Sequence, residues 1–111
     1  MLTPKAIVNG VNLTAAAVTY YTAGSGIRVV IKKATFVNDH TAAITVTINL
    51  VPSGGSATYA NALIKTHSIA AGDTWTCYEM ENHMLEAGGF ISMLASTTAK
   101  IGCRISGYEV T

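Results

Sequence analysis

The chain of 111 residues is long enough for one domain with one buried core, and half of its positions are apolar. Charged residues make up 12%, about half the usual share, and 7 basic against 6 acidic side chains leave a net charge of +1 without a basic stripe to neutralise phosphates. Nucleic acid is therefore not an expected partner, and with no apolar run approaching about 18 residues neither is a membrane.

Residues 1–14 show no clear period and are expected to form either an extended N-terminal arm or a lead-in strand. They include Pro4 and Lys5 but no apolar core of signal-peptide length, so the protein is expected to fold where it is made. In Ala15 to Thr22, Ala16, Val18 and Tyr20 alternate with Ala17, Thr19 and Tyr21, the period of a strand. Consecutive strand residues point to opposite faces, so one of Tyr20 and Tyr21 can fill the core while the other meets a neighbour; Tyr59 is the third candidate contact.

After Gly24-Ser25-Gly26, the run Ile27 to Pro52 reads as two long apolar strands folded back on each other across Asn38-Asp39-His40-Thr41. In the second arm Ile44, Val46, Ile48 and Leu50 share one face. In the first, the apolar parity changes from Val29 and Ile31 to Ala34 and Phe36, which predicts a bulge at Lys32-Lys33. Pro52 and Ser53-Gly54-Gly55-Ser56 end the strand. Ala57 to Ile69 fits a strand, although Ala60, Leu63, Ile64 and His67 also suit one and a half helical turns. Thr74 to Met80 is the next strand, with Trp75 expected as a buried anchor. Ile69-Ala70-Ala71-Gly72-Asp73 and Leu85-Glu86-Ala87-Gly88-Gly89 share one arrangement, an apolar residue, a spacer and Ala-Gly, and read as equivalent strand-entry turns with a left-handed glycine. Phe90 to Ala95 is apolar on both parities, and Ala99 to Val110 closes the chain, with Gly107 allowing a phase change that brings Tyr108 and Val110 inward. Seven or eight strands in one domain spanning residues 1–111 point to an all-β fold, an antiparallel β-sandwich or jelly roll.

No catalytic motif interrupts this pattern. His40, His67 and His83 lack metal-site spacing, and Glu79, Glu81 and Glu86 read as a solvated loop in preference to paired carboxylates or calcium ligands. There is no G-x-S-x-G elbow and no phosphate loop. The expectation is a protein that is not an enzyme and holds no metal or cofactor. Tyr20, Tyr21, Tyr59, Tyr78 and Trp75 could line a sugar platform, but core and subunit contacts are the commoner use of such rings. Cys77 and Cys103 both sit at apolar parity and read as reduced core thiols; a disulfide would require their strands to be neighbours.

The runs I-K-K-A-T-F-V-N at Ile31 to Asn38, T-V-T-I-N-L-V-P-S-G-G-S at Thr45 to Ser56, A-N-A-L-I at Ala60 to Ile64, L-E-A-G at Leu85 to Gly88 and I-S-G-Y-E-V-T at Ile105 to Thr111 resemble the small β-sandwich virion proteins of tailed bacteriophages. The resemblance implies a structural protein made in the host cytoplasm and located in the virion. It implies a capsid decoration or cement protein, or else a tail- or fibre-associated or receptor-binding module; a carbohydrate-binding sandwich is the third reading. The implied partners are the major capsid protein or other virion proteins. A trimer or dimer is expected because the low charge suits a surface that an assembly covers.

Overall fold

Alternating apolar residues become strands throughout the computed structural model, which describes the backbone of all 111 residues and every side chain except that of Tyr59. The strands are β1 (Leu2–Asn12), β2 (Val18–Thr22), β3 (Arg28–Asn38), β4 (Ile44–Val51), β5 (Ala62–Ile69), β6 (Thr74–Thr76), β7 (Met84–Leu85), β8 (Phe90–Ala95) and β9 (Ile101–Val110). Two single 3-10 turns, Tyr59–Asn61 and Tyr78–Met80, are the helical elements.

One sheet has the order β1-β9-β3-β6, with β7 also on β3, and the other has the order β2-β8-β4-β5. Every pairing is antiparallel. The chain crosses between sheets at every connection except β4 to β5 and β6 to β7, which is the winding of a jelly roll. β6 and β7 occupy one edge position. They pair with Thr35–Val37 and Val29–Val30, and the residues between them pass the Lys32-Lys33 bulge of β3. Eight strand positions therefore hold nine segments.

The expected bulge is present, since the β3–β9 register shifts between Ile31 and Lys33. It keeps Val29, Ile31, Ala34 and Phe36 fully buried on one face. The expected hairpin is not formed: β3 and β4 lie in opposite sheets and face each other across the core. Alternation defines an inward face but not which strand lies alongside, so two inward-facing arms satisfy the pattern equally well stacked or paired. The β4 face also shifts at its end, where Leu50 is half-buried and Val51 is buried. Residues 1–14 form the lead-in strand of the two alternatives. β1 runs along β9 from Leu2 opposite Val110 to Asn12 opposite Gly102, and Ile7, Val8 and Leu13 enter the core.

The two strand-entry turns are alike. Asp73 N–H donates to Ala70 O at 3.1 Å and Gly89 N–H to Glu86 O at 2.9 Å, with Gly72 and Gly88 at φ 70° and 79°. The expected strand Thr74 to Met80 is shorter than its pattern. It leaves the sheet after Thr76 and turns through Tyr78–Met80, which buries Met80 and leaves Tyr78 exposed.

The strand order also settles the thiols. Cys103 pairs with Phe36 on one side of β3, and Cys77 N–H donates to Ala34 O on its other side. Two strand spacings, roughly 9.6 Å, separate their backbones, beyond the ~7 Å that a disulfide can bridge. Both cysteines are free and buried.

Candidate interaction surfaces

A sandwich has two open sides where its edge strands face each other, and in this chain each is closed by a different set of side chains. Between β2 and the β1–β9 pair, Tyr21 Oη donates to Glu109 Oε2 at 2.7 Å, and Lys5 Nζ reaches the same oxygen at 3.1 Å while lying 5.7 Å from the Tyr21 ring centre. Burial, and after it the bond to the Glu109 carboxylate, pushes the Tyr21 phenol well above its ordinary range. The Tyr21 hydroxyl and then the Lys5 ammonium hold Glu109 below the usual carboxylate range.

Both tyrosines of the pair pack against the core, because the β2–β8 register shifts between Thr19 and Tyr21 and strict alternation is lost there. Tyr21 spends its hydroxyl within the chain. The Tyr20 hydroxyl is buried without a hydrogen-bond partner among the described residues. The third expected contact, the Tyr59 side chain, lies outside the described residues.

On the opposite side His67 of β5 stacks on Trp75 of β6 with ring centres 3.9 Å apart, and Phe36 lies 5.3 Å beyond. Trp75 is mostly buried and packs against the core, as its parity suggested, and it seals this side. His67 reaches it because β5 bulges, with Thr66 at φ 50° and the register shifting between Val46 and Ile48. Below the stack, Asn38 is 1% exposed. Its Nδ2 donates to the carbonyls of Ala42, Ile69 and Ala70 at 3.0, 2.9 and 3.2 Å, and its Oδ1 accepts from His40 N–H at 2.8 Å. One side chain thus ties both connections at this end of the sandwich. The sequence pattern presented Asn38 only as part of a polar tip.

The aromatic residues do not combine into one platform among the described residues. Tyr20 and Tyr21 lie at one edge, whereas Trp75 and Tyr78 lie at the other. Of the acidic residues Glu86 stands apart, paired to Arg28 at 3.0 Å, whereas Glu79 lies beside Cys77 Sγ at 4.0 Å on the turn that Glu81 closes. Among the described residues no three His, Cys, Asp or Glu side chains converge as a metal ion requires.

A groove of about 290 Å³ lies on the outer face of the β2-β8-β4-β5 sheet, lined by Thr47, Asn49, Thr58, Lys65, Ser92 and Leu94 among others. The 57–58 segment is held over it by Asn49 Nδ2, which donates to Thr58 O at 2.8 Å and Asn61 Oδ1 at 2.7 Å. Half of the lining is apolar, with Ala17, Ala57, Ala62, Met93 and Leu94 beside the Thr and Ser hydroxyls; Asn49 spends both Nδ2 hydrogens inside the chain, and among the described residues the lining brings no carboxylate or imidazole to act as a base.

No protein-family model and no curated protein matches the chain. Among solved structures, a chain in a structure of infectious bursal disease virus, Gx strain, shares the fold with a TM-score of 0.54 and 11% sequence identity. The likeness covers 98% of this chain and 31% of the viral chain, so the chain spans about a third of that neighbour's length.

Proposed function

We propose that this protein is a non-enzymatic structural component of a virion, a capsid decoration or cement protein of the tailed-bacteriophage type that stabilises the shell as an oligomer. The observation that carries the reading is the jelly roll itself, which extends over the whole chain and is shared with a chain of a virus structure over 98% of its length. The sequence resemblance and the sparse surface charge support the same reading. The partner it implies is the major capsid protein. The protein would be made in the host cytoplasm and would end in the particle.

Densitometry of purified particles of the encoding virus, against the major capsid band, tests this. A ratio near one copy per few capsid subunits supports the shell location. A ratio corresponding to a handful of copies supports a tail or fibre module instead, and absence from the particle overturns the virion reading. The groove on the β2-β8-β4-β5 sheet favours a second reading, a carbohydrate-binding sandwich, through its mix of apolar side chains and Thr and Ser hydroxyls. Specific retention on a glycan array that is lost in Ser92→Val would support it.

A further inference from the structure

β9 does not change phase at Gly107. Ile101, Cys103, Ile105 and Gly107 are buried, Glu109 continues on their side toward Tyr21, and Tyr108 and Val110 therefore lie on the outer face. Cross-strand partners share a face, so the register builds a patch there. Leu2 sits opposite Val110 in one row, and Pro4, Tyr108, Val30 and Met84 form the next across four strands. Leu2 is 59% exposed, Met84 50%, and Met1 beside them 86%. The patch is bordered by Arg28, ion-paired with Glu86, in the first row, and at the β3 bulge by Lys32, whose Nζ donates to Asn82 Oδ1 at 3.0 Å, and by Lys33, all exposed. An apolar centre of Tyr and Met with a charged rim is the composition of a protein interface.

The same chain carries a complementary element. Tyr78 is 71% exposed at the head of a 3-10 turn and is followed by Glu79 and Glu81. The turn is rigid, because Met80 and Cys77 beneath it are fully buried and its backbone is closed by Glu81 N–H to Tyr78 O at 3.1 Å and His83 N–H to Met80 O at 3.2 Å. It presents an aromatic ring and two carboxylates with little freedom left to lose on binding.

We infer that a second copy of this chain docks here, Tyr78 on the patch of Tyr108, Val30 and Met84, with Glu79 and Glu81 against Lys32 and Lys33. Charge complementarity selects this occupant. Patch against patch would oppose Lys32 and Lys33 to the same lysines of the other copy, whereas patch against turn pairs them with carboxylates. Because the two surfaces differ, repetition gives a ring, or a two-fold dimer in which both contacts are made reciprocally. The inference locates the self-association that the virion reading assumes, and its test uses isolated protein, so its failure and that of the virion reading are distinguishable.

The test is light scattering coupled to size exclusion on the full chain up to about 100 µM, where a micromolar interface is saturated. The wild type is expected to be an oligomer. Met84→Ser, Tyr78→Ser and the pairs Lys32→Glu/Lys33→Glu and Glu79→Lys/Glu81→Lys are each expected to raise the dissociation constant at least about tenfold. Carrying both charge reversals in one chain is expected to restore assembly. All of these positions except Glu81 are exposed, and circular dichroism confirms that each variant is folded. A monomeric wild type overturns the inference, as does an oligomer indifferent to the variants or a double reversal that fails to reassemble.

Discussion

Replacing Asn38 by alanine tests whether one buried amide holds together the end of the sandwich where the chain leaves β3 and enters β6. The substitution removes two N–H donors shared among three carbonyls and the acceptor for His40 N–H. The bond to Ile69 O is buried, so that carbonyl loses its partner without gaining water, at a cost of about 1–3 kcal/mol. The remaining bonds are partly buried, and their loss adds about 0.5–1.5 kcal/mol in all once water replaces them. The expected total is about 3 kcal/mol, which for a chain of this length corresponds to a fall in melting temperature of roughly 13 °C. Urea denaturation followed by Trp75 fluorescence measures it, and Trp75 reports on this end because β6 begins just after the Asn38–Ala70 contact. Asn38→Asp keeps the acceptor for His40 but turns a carboxylate toward three carbonyls, so it is expected to be no more stable than the alanine variant. A loss below about 1 kcal/mol at unchanged m value would refute the reasoning.

Gly107→Ala is expected to destabilise by about 1–3 kcal/mol or more, because an added Cβ overlaps the Val30 carbonyl, a backbone atom that cannot move aside; a neutral result in the same assay would contradict the β3–β9 approach. Tyr20→Phe is expected to be neutral or stabilising, since it deletes a buried hydroxyl unpaired among the described residues, while Tyr21→Phe is destabilising at pH 7. Glu109 has a lowered folded-state pKa, so the bond contributes fully above the unfolded value of about 4.3 and is lost as pH falls through the folded value. The gap between wild type and Tyr21→Phe should therefore close in acid and persist at neutral pH. Burial pushes the thiols of Cys77 and Cys103 up to about 11 and about 12, so neither is expected to react with iodoacetamide in the native protein and both should react in denaturant without reductant. Labelling that first requires reductant would reveal a disulfide.

What the sequence discloses is the inward face of each strand, because period two is a local property. Ile44, Val46 and Ile48, and Ile101, Cys103 and Ile105, are inward as their alternation requires. Even the β3 bulge is legible, since a parity change between two charged residues has a single simple cause. Which strands are neighbours is not legible, because pairing is decided by the whole set of connections, and the supposed β3–β4 hairpin was lost for that reason. The ambiguity at Ala57 to Ile69 has a physical source as well. The bulge at Thr66 widens the spacing from Ile64 to His67 to three residues, which imitates helix in a strand. The seam of Tyr21, Glu109 and Lys5 joins positions 104 or 88 residues apart and has no local signature. At Gly107 the sequence misled in a specific way. The glycine is there because the Val30 carbonyl approaches closely, not because the strand changes phase, and the outward placement of Tyr108 follows from that.

The low charge content, read as a single fraction, conceals a division of the surface. The strands of the β1-β9-β3-β6 sheet hold Lys5, Arg28, Lys32, Lys33, Arg104 and Glu109, whereas those of the β2-β8-β4-β5 sheet hold only Lys65. The two outer faces therefore differ in how salt acts on anything that binds them. Contact through the patch of Tyr108 and Met84 brings exposed lysines against carboxylates, and the attraction of such pairs is screened once the Debye length shrinks from about 10 Å at 0.1 M salt to about 3 Å at 1 M. Contact through the groove face engages mainly neutral Thr, Ser, Ala, Met and Leu side chains around the one Lys65, and contacts of neutral groups are insensitive to ionic strength at this level. Self-association is accordingly expected to weaken steadily between 0.1 and 1 M sodium chloride in sedimentation equilibrium, by about tenfold for two screened pairs at about 0.7 kcal/mol each. Salt-independent self-association would place the subunit contact on the sparsely charged sheet and remove Lys32 and Lys33 from it.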